Sequence, residues 1–286
     1  DVTVAIRNYL ADSGHKRFAP AASMGMAFLN ATGPKTIKAL RAAMIQTGFP
    51  AQNFAYKIGK LLPVGTKKQK AEPKATVGTA PVKEQIIHFI NRPLPKSVPA
   101  KTPRSMLGIE DDKSIPIIRN PAAPEDAEAV FYFPGCGSEK LFSQVGLATQ
   151  AMLYHAGVQT VLPPGYLCCG YPQSAHGDQP KADSMVTENR VLFHRMANTL
   201  NYLDIKTVVV SCGTCYDALA EYRFEDIFPG CRIIDIHEYL LEKNIKLQGV
   251  QGQQYLYHNP CHTPIKTMDG AKLASELIGQ NVPFVT

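Results

Sequence analysis

Residues 207–215 read TVVVSCGTC: four strand-forming residues, three of them Val, run straight into a Cys-x-x-Cys pair. A short apolar run of this kind suits a strand buried on both faces, because a strand with one face in water would alternate apolar and polar residues. Before it, in chain order, lie the β-rich run AVFYFP (129–134), a helical stretch from 139 to 156, the run VQTVLP (158–163) and a helical stretch from 180 to 203. After it come a helix at 215–224, the run RIIDI (232–236), a helix around 237–243, the run QYLYH (254–258) and a helix from about 264. Strand and helix in alternation predict a mostly parallel sheet covered on both faces.

The predicted fold class is therefore α/β, a parallel-sheet lobe of the Rossmann or flavodoxin kind. In such open sheets ligands gather at the carboxyl ends of the strands, above all where the strand order reverses. The cysteines fall there. Cys136 follows FYF, Cys168 and Cys169 follow VQTVLP after a short loop, Cys212 ends VVVS with Cys215 three residues on, and Cys261 follows QYLYH. Cys136 in FYFPGCGSE and Cys261 in LYHNPCHTP occupy similar settings, so Cys261 reads as the start of a second copy of the unit; at the first copy's spacing, its adjacent pair would fall beyond Thr286. The seventh cysteine, Cys231, stands at a strand start and reads as a small buried hydrophobe. An odd count, an adjacent pair and a Cys-x-x-Cys do not suit a disulfide framework and point to a reducing compartment. Residence in the cytoplasm, including the cytoplasmic face of the membrane, is the expectation.

Thiolates select soft or borderline metals, so zinc, copper(I) and iron–sulfur clusters are the candidates. Adjacent side chains in an extended segment point to opposite sides, so Cys168 and Cys169 do not easily chelate one tetrahedral ion but suit different irons of a multinuclear cluster. Gly170 and Gly213 leave room for backbone to pass close to such a group. Two further readings stay open: a structural zinc held by four of the five clustered cysteines, and a thiol–disulfide pair at Cys212 and Cys215. His258 and His262 flank Cys261, and His176 and Asp178 follow the CCG loop; each is a weaker candidate for a role at the site.

The series PGC (134–136), CCG (168–170), SCGTC (211–215) and NPCH (259–262) resembles the cysteine-rich CCG domain of heterodisulfide reductase. That domain occurs also in iron–sulfur subunits of glycolate oxidase, lactate utilisation and anaerobic glycerol-3-phosphate dehydrogenase systems. The resemblance covers roughly residues 130–286. It implies that Cys136, Cys168, Cys169, Cys212 and Cys215 ligate one noncubane [4Fe–4S] cluster and that Cys261 is the first ligand of a second. It also implies that the lobe is the first of two pseudo-repeats, the second incomplete from about 255.

Composition sets the frame around this domain. The chain has 286 residues, 45% of them hydrophobic, and a net charge of +6. No continuous apolar stretch approaches the ~18 residues of a membrane span. The charge is concentrated: from Lys57 to Arg104 there are eleven Lys or Arg against Glu72 and Glu84, with seven prolines in nearly the same stretch. That composition describes a solvated, partly extended linker or a basic strip for an acidic partner; no aromatic interleaving points to nucleic acid. Upstream, Thr32 can cap a helix with Pro34 in its first turn. Ile37, Leu40 and Met44 recur at helical spacing, Gly48 stands where that helix would end, and Phe54 and Ile58 share a face of a second helix stopped by Pro63. The predicted domains are a helical segment (1–62), a basic Pro-rich linker (63–127) and the cysteine-rich domain (128–286). The chain opens on Asp1 without a secretory signal pattern and reads as an internal piece of a larger polypeptide.

A site built from thiolates lacks the water, carboxylate and base of a hydrolase, and GxSxG, HExxH and phosphate-loop patterns are absent from the sequence. Electron transfer or disulfide chemistry is the remaining class. The resemblance implies an oxidoreductase domain passing electrons from a flavin dehydrogenase module or ferredoxin-like domain to a quinone or disulfide acceptor, with FAD on a separate domain or subunit. The competing class is a zinc-stabilised interaction domain docking a partner through the basic linker.

Overall fold

The structure, a computed structural model, describes residues 2–16, 20–61, 98–247 and 254–285. The chain divides into two compact units, one of Asp1–Ile37 with Lys101–Thr286 and one of Lys38–Ala100. Among the described residues, no helix is long and apolar enough to cross a membrane.

The chain begins with helices α1 (Val2–Asp12), α2 (Pro20–Asn30) and α3 (Pro34–Ala42), followed by a π-helical turn (Ala43–Gly48) and α4 (Phe49–Leu61). Gly48 does not end the helix as expected. Phe49 after it stays in the right-handed helical region, and the widened turn precedes Pro50, whose ring would clash with the carbonyl four residues back in a regular helix. Phe54 and Ile58, expected on a packed face, are exposed. Pro63 and most of the basic stretch lie outside the described residues. In the smaller unit the buried Arg41 guanidinium donates to the carbonyls of Pro99 and Ala100.

Where a linker is expected to run to 127, the chain from Pro103 onward is instead part of the larger unit. Helix α5 (Pro103–Leu107) is capped by the Thr102 hydroxyl, which accepts from the Ser105 N–H at 3.1 Å, and ends at Gly108 in the left-handed region. Arg104 on it is buried and bonds the Glu139 carboxylate and the Pro163 carbonyl. A two-residue strand, β1 (Ile117–Ile118), then pairs antiparallel with β3 at the sheet edge.

The central sheet has the order β1-β3-β2-β4-β5, formed with β2 (Ala129–Phe133), β3 (Gln159–Val161), β4 (Thr207–Val210) and β5 (Arg232–Asp235). All but β1 run parallel. Taken alone, the parallel strands run second-first-third-fourth, the flavodoxin order, whose switch point lies between the first and third, here β2 and β4. Every residue of β2 and β4 is buried, which explains their unbroken apolar runs. Alternate side chains feed two cores. Phe131, Phe133, Val208 and Val210 face one side; Val130, Tyr132 and Val209 face the other.

Between the strands lie a π-helical turn (Gly137–Leu141), α6 (Ser143–His155), α7 (Tyr171–His176), α8 (Gln179–Thr199), α9 (Gly213–Ala220), α10 (Phe224–Ile227) and, after β5, α11 (Ile236–Glu242). Helix α8 packs Phe193 edge-on against Phe131, centroids 5.0 Å apart, within an aromatic cluster that includes Tyr222, Phe224 and Phe228. A second, two-stranded parallel sheet pairs β6 (Tyr257–His258) with β7 (Phe284–Val285), with α12 (Gly270–Ile278) as the crossover. That helix starts at 270 rather than 264. Residues 266–267 are held by the Glu238 carboxylate, which accepts the Lys266 and Thr267 N–H groups, and Asp269 supplies the cap.

Candidate metal centre

Three loops at the carboxyl ends of β2, β3 and β4 carry the site. After β2, Gly135 adopts φ +72° and turns the chain so that Cys136 enters the π-helical turn. The space beside Gly135 is occupied: a Cβ there would lie 2.6 Å from Cys215 Sγ. After β3, Cys168 and Cys169 are followed by Gly170 at φ +89°, which opens α7. After β4, Cys212 is extended and stands at the start of α9, with Cys215 in the first turn of that helix. Cys136, Cys168, Cys169 and Cys215 are buried and Cys212 is half-buried.

These five thiols form one row. Cys136 and Cys168 are 3.6 Å apart, Sγ to Sγ. Cys168 also meets Cys169, Cys169 meets Cys215, and Cys215 meets Cys212. The neighbours in sequence face different surroundings, as an extended pair should: Cys168 packs with Cys136, Met185 and Leu29, and Cys169 joins the aromatic core with Cys215. Among the described residues, no three His, Cys, Asp or Glu side chains surround a point where one metal ion would sit. The sulfurs are strung out instead of caged.

Charge along the row is uneven. The hydrogen bond shared with Cys136, with further help from Cys169, the Gly170 N–H and Lys140, draws the Cys168 thiol well below the usual thiol range. Cys136 and Cys169 are pushed up, chiefly because each shares its proton with Cys168 and then because they are buried. At the other end the Cys215 thiol, the Thr214 hydroxyl and the N–H groups of Thr214 and Cys215 hold Cys212 at about 5, while Cys215 is raised. The helix start thus acts on Cys212 as an anion site would. Cys168 and Cys212 are thus the two sulfurs held low, and the donor set is all sulfur, which fits a thiophilic metal centre.

Several residues that hold this row were not legible beforehand. Asn189, on the buried face of α8, donates to the Cys168 carbonyl at 2.8 Å and to the Tyr222 hydroxyl at 3.0 Å, and Tyr222 donates to the Cys169 carbonyl at 3.1 Å. Gln173 lies 3.7 Å from Cys168 Sγ and donates to Asn30 at the end of α2. Lys140, fully buried, donates to the Leu29 carbonyl. A polar residue on an otherwise apolar helix face was the only available signal for Asn189; Lys140 and Tyr222 offered none.

Cys261 is not part of the row; it is exposed. The segment carrying it does reach the site, because a Cβ on Gly213 would lie 1.7 Å from the His262 carbonyl oxygen. His262 is held between the Tyr171 hydroxyl, 2.9 Å from Nε2, and the Asp217 carboxylate, 2.7 Å from Nδ1. His258 is exposed, and Asp178 caps α8 by accepting from the Lys181 N–H. Cys231 is half-buried, packs on the aromatic core and is pushed up to about 11 by burial.

Residues 130–220 match the model of the cysteine-rich domain designated CCG, a range that holds all five thiols of the row. An uncharacterized iron–sulfur protein of Methanocaldococcus jannaschii is 28% identical over 155 residues, 53% of this chain and 30% of that protein. A subunit of the fumarate reductase (CoM/CoB) of Methanothermobacter marburgensis is likewise 28% identical over 155 residues, covering 53% of this chain and 29% of that subunit. A probable glycolate oxidase iron–sulfur subunit of Bacillus subtilis is 29% identical over 93 residues, 32% of this chain and 19% of that subunit. The chain therefore spans less than a third of each of these relatives. The strand ends, the CCG loop and the Cys-x-x-Cys helix all fall inside the matched range, so the likeness of residues 130–220 to a cysteine-rich domain of the CCG type takes in the whole thiol row.

Proposed function

We propose that the thiol row holds a noncubane [4Fe–4S] cluster through Cys136, Cys168, Cys169, Cys212 and Cys215, and that the domain relays electrons between a flavin dehydrogenase module and a quinone or disulfide acceptor. The observation that carries this reading is the shape of the donor set: five cysteines brought to neighbouring loop ends, with Cys136 and Cys168 at 3.6 Å, Cys215 against Gly135, and Cys168 and Cys169 facing different ways. A row of that length suits several metal atoms better than a single tetrahedral zinc. The names of the relatives support it, since each is an iron–sulfur protein or a subunit of a reductase.

When bound, such a cluster supplies reversible one-electron uptake. The chain's own residues do the rest. Cys168 and Cys212 are held low by their neighbours, so they give up their protons to a metal more readily than an ordinary thiol. Gly135 leaves room beside Cys215 for the sulfur to point into the site. Asn189 and Tyr222 fix the carbonyls of the CCG loop, and Leu29, Met185 and the aromatic core keep water from the buried sulfurs. FAD would sit on a separate domain or subunit, with a ferredoxin-like domain as a further electron partner. Cys261, at the head of the second strand–helix–strand crossover, would open a second cluster site.

Iron, zinc and acid-labile sulfide measured on anaerobically purified protein, with its visible spectrum, test the reading. About four iron and four sulfide per chain support it. One zinc without sulfide overturns it and leaves a zinc-stabilised interaction domain. Cys169→Ser adds a second arm: it abolishes a five-thiolate cluster, whereas a four-ligand zinc site survives it.

A further inference from the structure

Lys140 is fully buried in the π-helical turn directly after Cys136. Its ammonium donates to the carbonyl of Leu29, and the Leu29 side chain packs on Cys136 and Cys168. Burial draws the ammonium towards its neutral form; Cys136 and Cys168, followed by Glu139, attract it back. Glu139 is itself committed to Arg104, whose guanidinium it meets at 2.5 Å. Through Leu29, Lys140 stands at the Cys136–Cys168 end of the row. Burying an ammonium is costly, so a chain with no use for the charge gains by replacing it with an apolar side chain.

We infer that Lys140 is a fixed counter-charge to the metal centre, placed to favour the state with one more electron and so to raise its reduction potential. The inference rests on the iron–sulfur reading above. Its physical basis is general: each added electron makes a thiolate-held cluster more negative, and a nearby cation in a low-dielectric site stabilises that state more than the oxidised one. Through Leu29 the ammonium is held at the Cys136–Cys168 end of the row, while the start of α9 lies at the Cys212 end. Positive potential thus comes from a side chain at one end and a helix start at the other. Lys140 acts through its field and need not touch the cluster, which makes it a positioning residue for charge.

The test is the reduction potential of Lys140→Met and Lys140→Gln in the full chain, read by spectroelectrochemical titration with iron and sulfide counted on the same samples. Both keep the side chain's length closely enough to fill its space, and Gln keeps a donor for the Leu29 carbonyl. The expected result is a full complement of iron and sulfide and a fall in the reduction equilibrium constant of about tenfold, 59 mV for a one-electron couple. Lys266→Met, which removes a cation more exposed to water and paired with Asp217, should change that constant by less than about threefold. Loaded Lys140 variants with an unchanged potential overturn the inference. So does failure of both variants to take up iron while they remain folded, because the charge would then serve assembly and not potential. A wild-type chain without iron and sulfide removes the reading beneath the inference, an outcome distinct from either.

Discussion

Gly135→Ala is the sharpest single perturbation of the site. The residue sits at φ +72°, and an added Cβ would stand 2.6 Å from Cys215 Sγ and 3.9 Å from the Phe133 ring. Ordinary contact needs about 3.5–4.0 Å, so the sulfur must retreat by roughly 1 Å. It has little room to do so: Cys215 is 3% exposed, fixed in the first turn of α9 and packed against Cys169. Left-handed backbone at a residue with a Cβ costs about 1–2 kcal/mol, and overpacking costs about 1–3 kcal/mol more. Against a stability of about 5–15 kcal/mol the domain still folds. Metal sites, however, tolerate ligand displacements of only about 0.2 Å, so the centre is lost although the fold is kept. Gly137→Ala is the matched control two residues on: it has nothing within 4 Å of its Cβ position and lies in a helical turn, where Ala is favoured by about 1 kcal/mol. Iron, zinc and sulfide per chain, with far-ultraviolet circular dichroism on the same samples, give the comparison. A Gly135→Ala protein that retains wild-type metal content would refute the reasoning, because Cys215 would then have no part in the centre or the glycine no part in placing it.

Three further outcomes follow from the same geometry. In metal-free protein at pH 7, Cys212 should be alkylated by iodoacetamide about ten- to fortyfold faster than Cys231, both being half-buried; the thiolate fractions differ by about 10,000, and the weaker nucleophilicity of a low-pKa thiolate returns most of that. The Cys212 rate should stay flat as pH falls from 8 to about 6 and decline only near 5, where its thiolate protonates; peptide mass spectrometry of timed reactions gives both values. Asn189→Leu leaves the Cys168 carbonyl without its donor and the Tyr222 hydroxyl without its neighbour, so it should cost about 1–3 kcal/mol in urea denaturation and lower metal content as well. Phe193→Ala empties the centre of the aromatic cluster behind β2 and should cost about 3–5 kcal/mol in the metal-free protein by the same measurement.

What could be read from sequence alone follows a physical division. The strands AVFYF and TVVV were legible because burial on both faces leaves an unbroken apolar run, and the cysteines were legible because thiols that share a site are rare enough for their spacing to stand out. Features set by distant partners were not. The strand Ile117–Ile118 is two residues long and exists because Val161 and Thr160 pair with it. The late start of α12 depends on Glu238, about thirty residues away, holding residues 266–267 in a turn. Arg104 carries a charge that composition assigned to a solvated linker, yet it is buried against Glu139; only the tertiary partner separates it from the other basic residues of that stretch.

The strand order explains why the thiols meet at all. With β2 and β4 adjacent and parallel, their following loops leave the sheet side by side at the switch point, which brings Cys136 and the Cys212–Cys215 pair to one crevice. The CCG loop comes from β3, on the far side of β2, and must cross the carboxyl end of β2 to reach Cys215. That crossing accounts for the direction of the adjacent pair: Cys168 stops on the near side, beside Cys136, and Cys169 continues to the β4 side, beside Cys215. A single cysteine in that loop would serve one side of the crevice only. The adjacent pair lets one loop bridge both, which is why the five sulfurs form a row, with Gly135 leaving the space beside Cys215 at its centre.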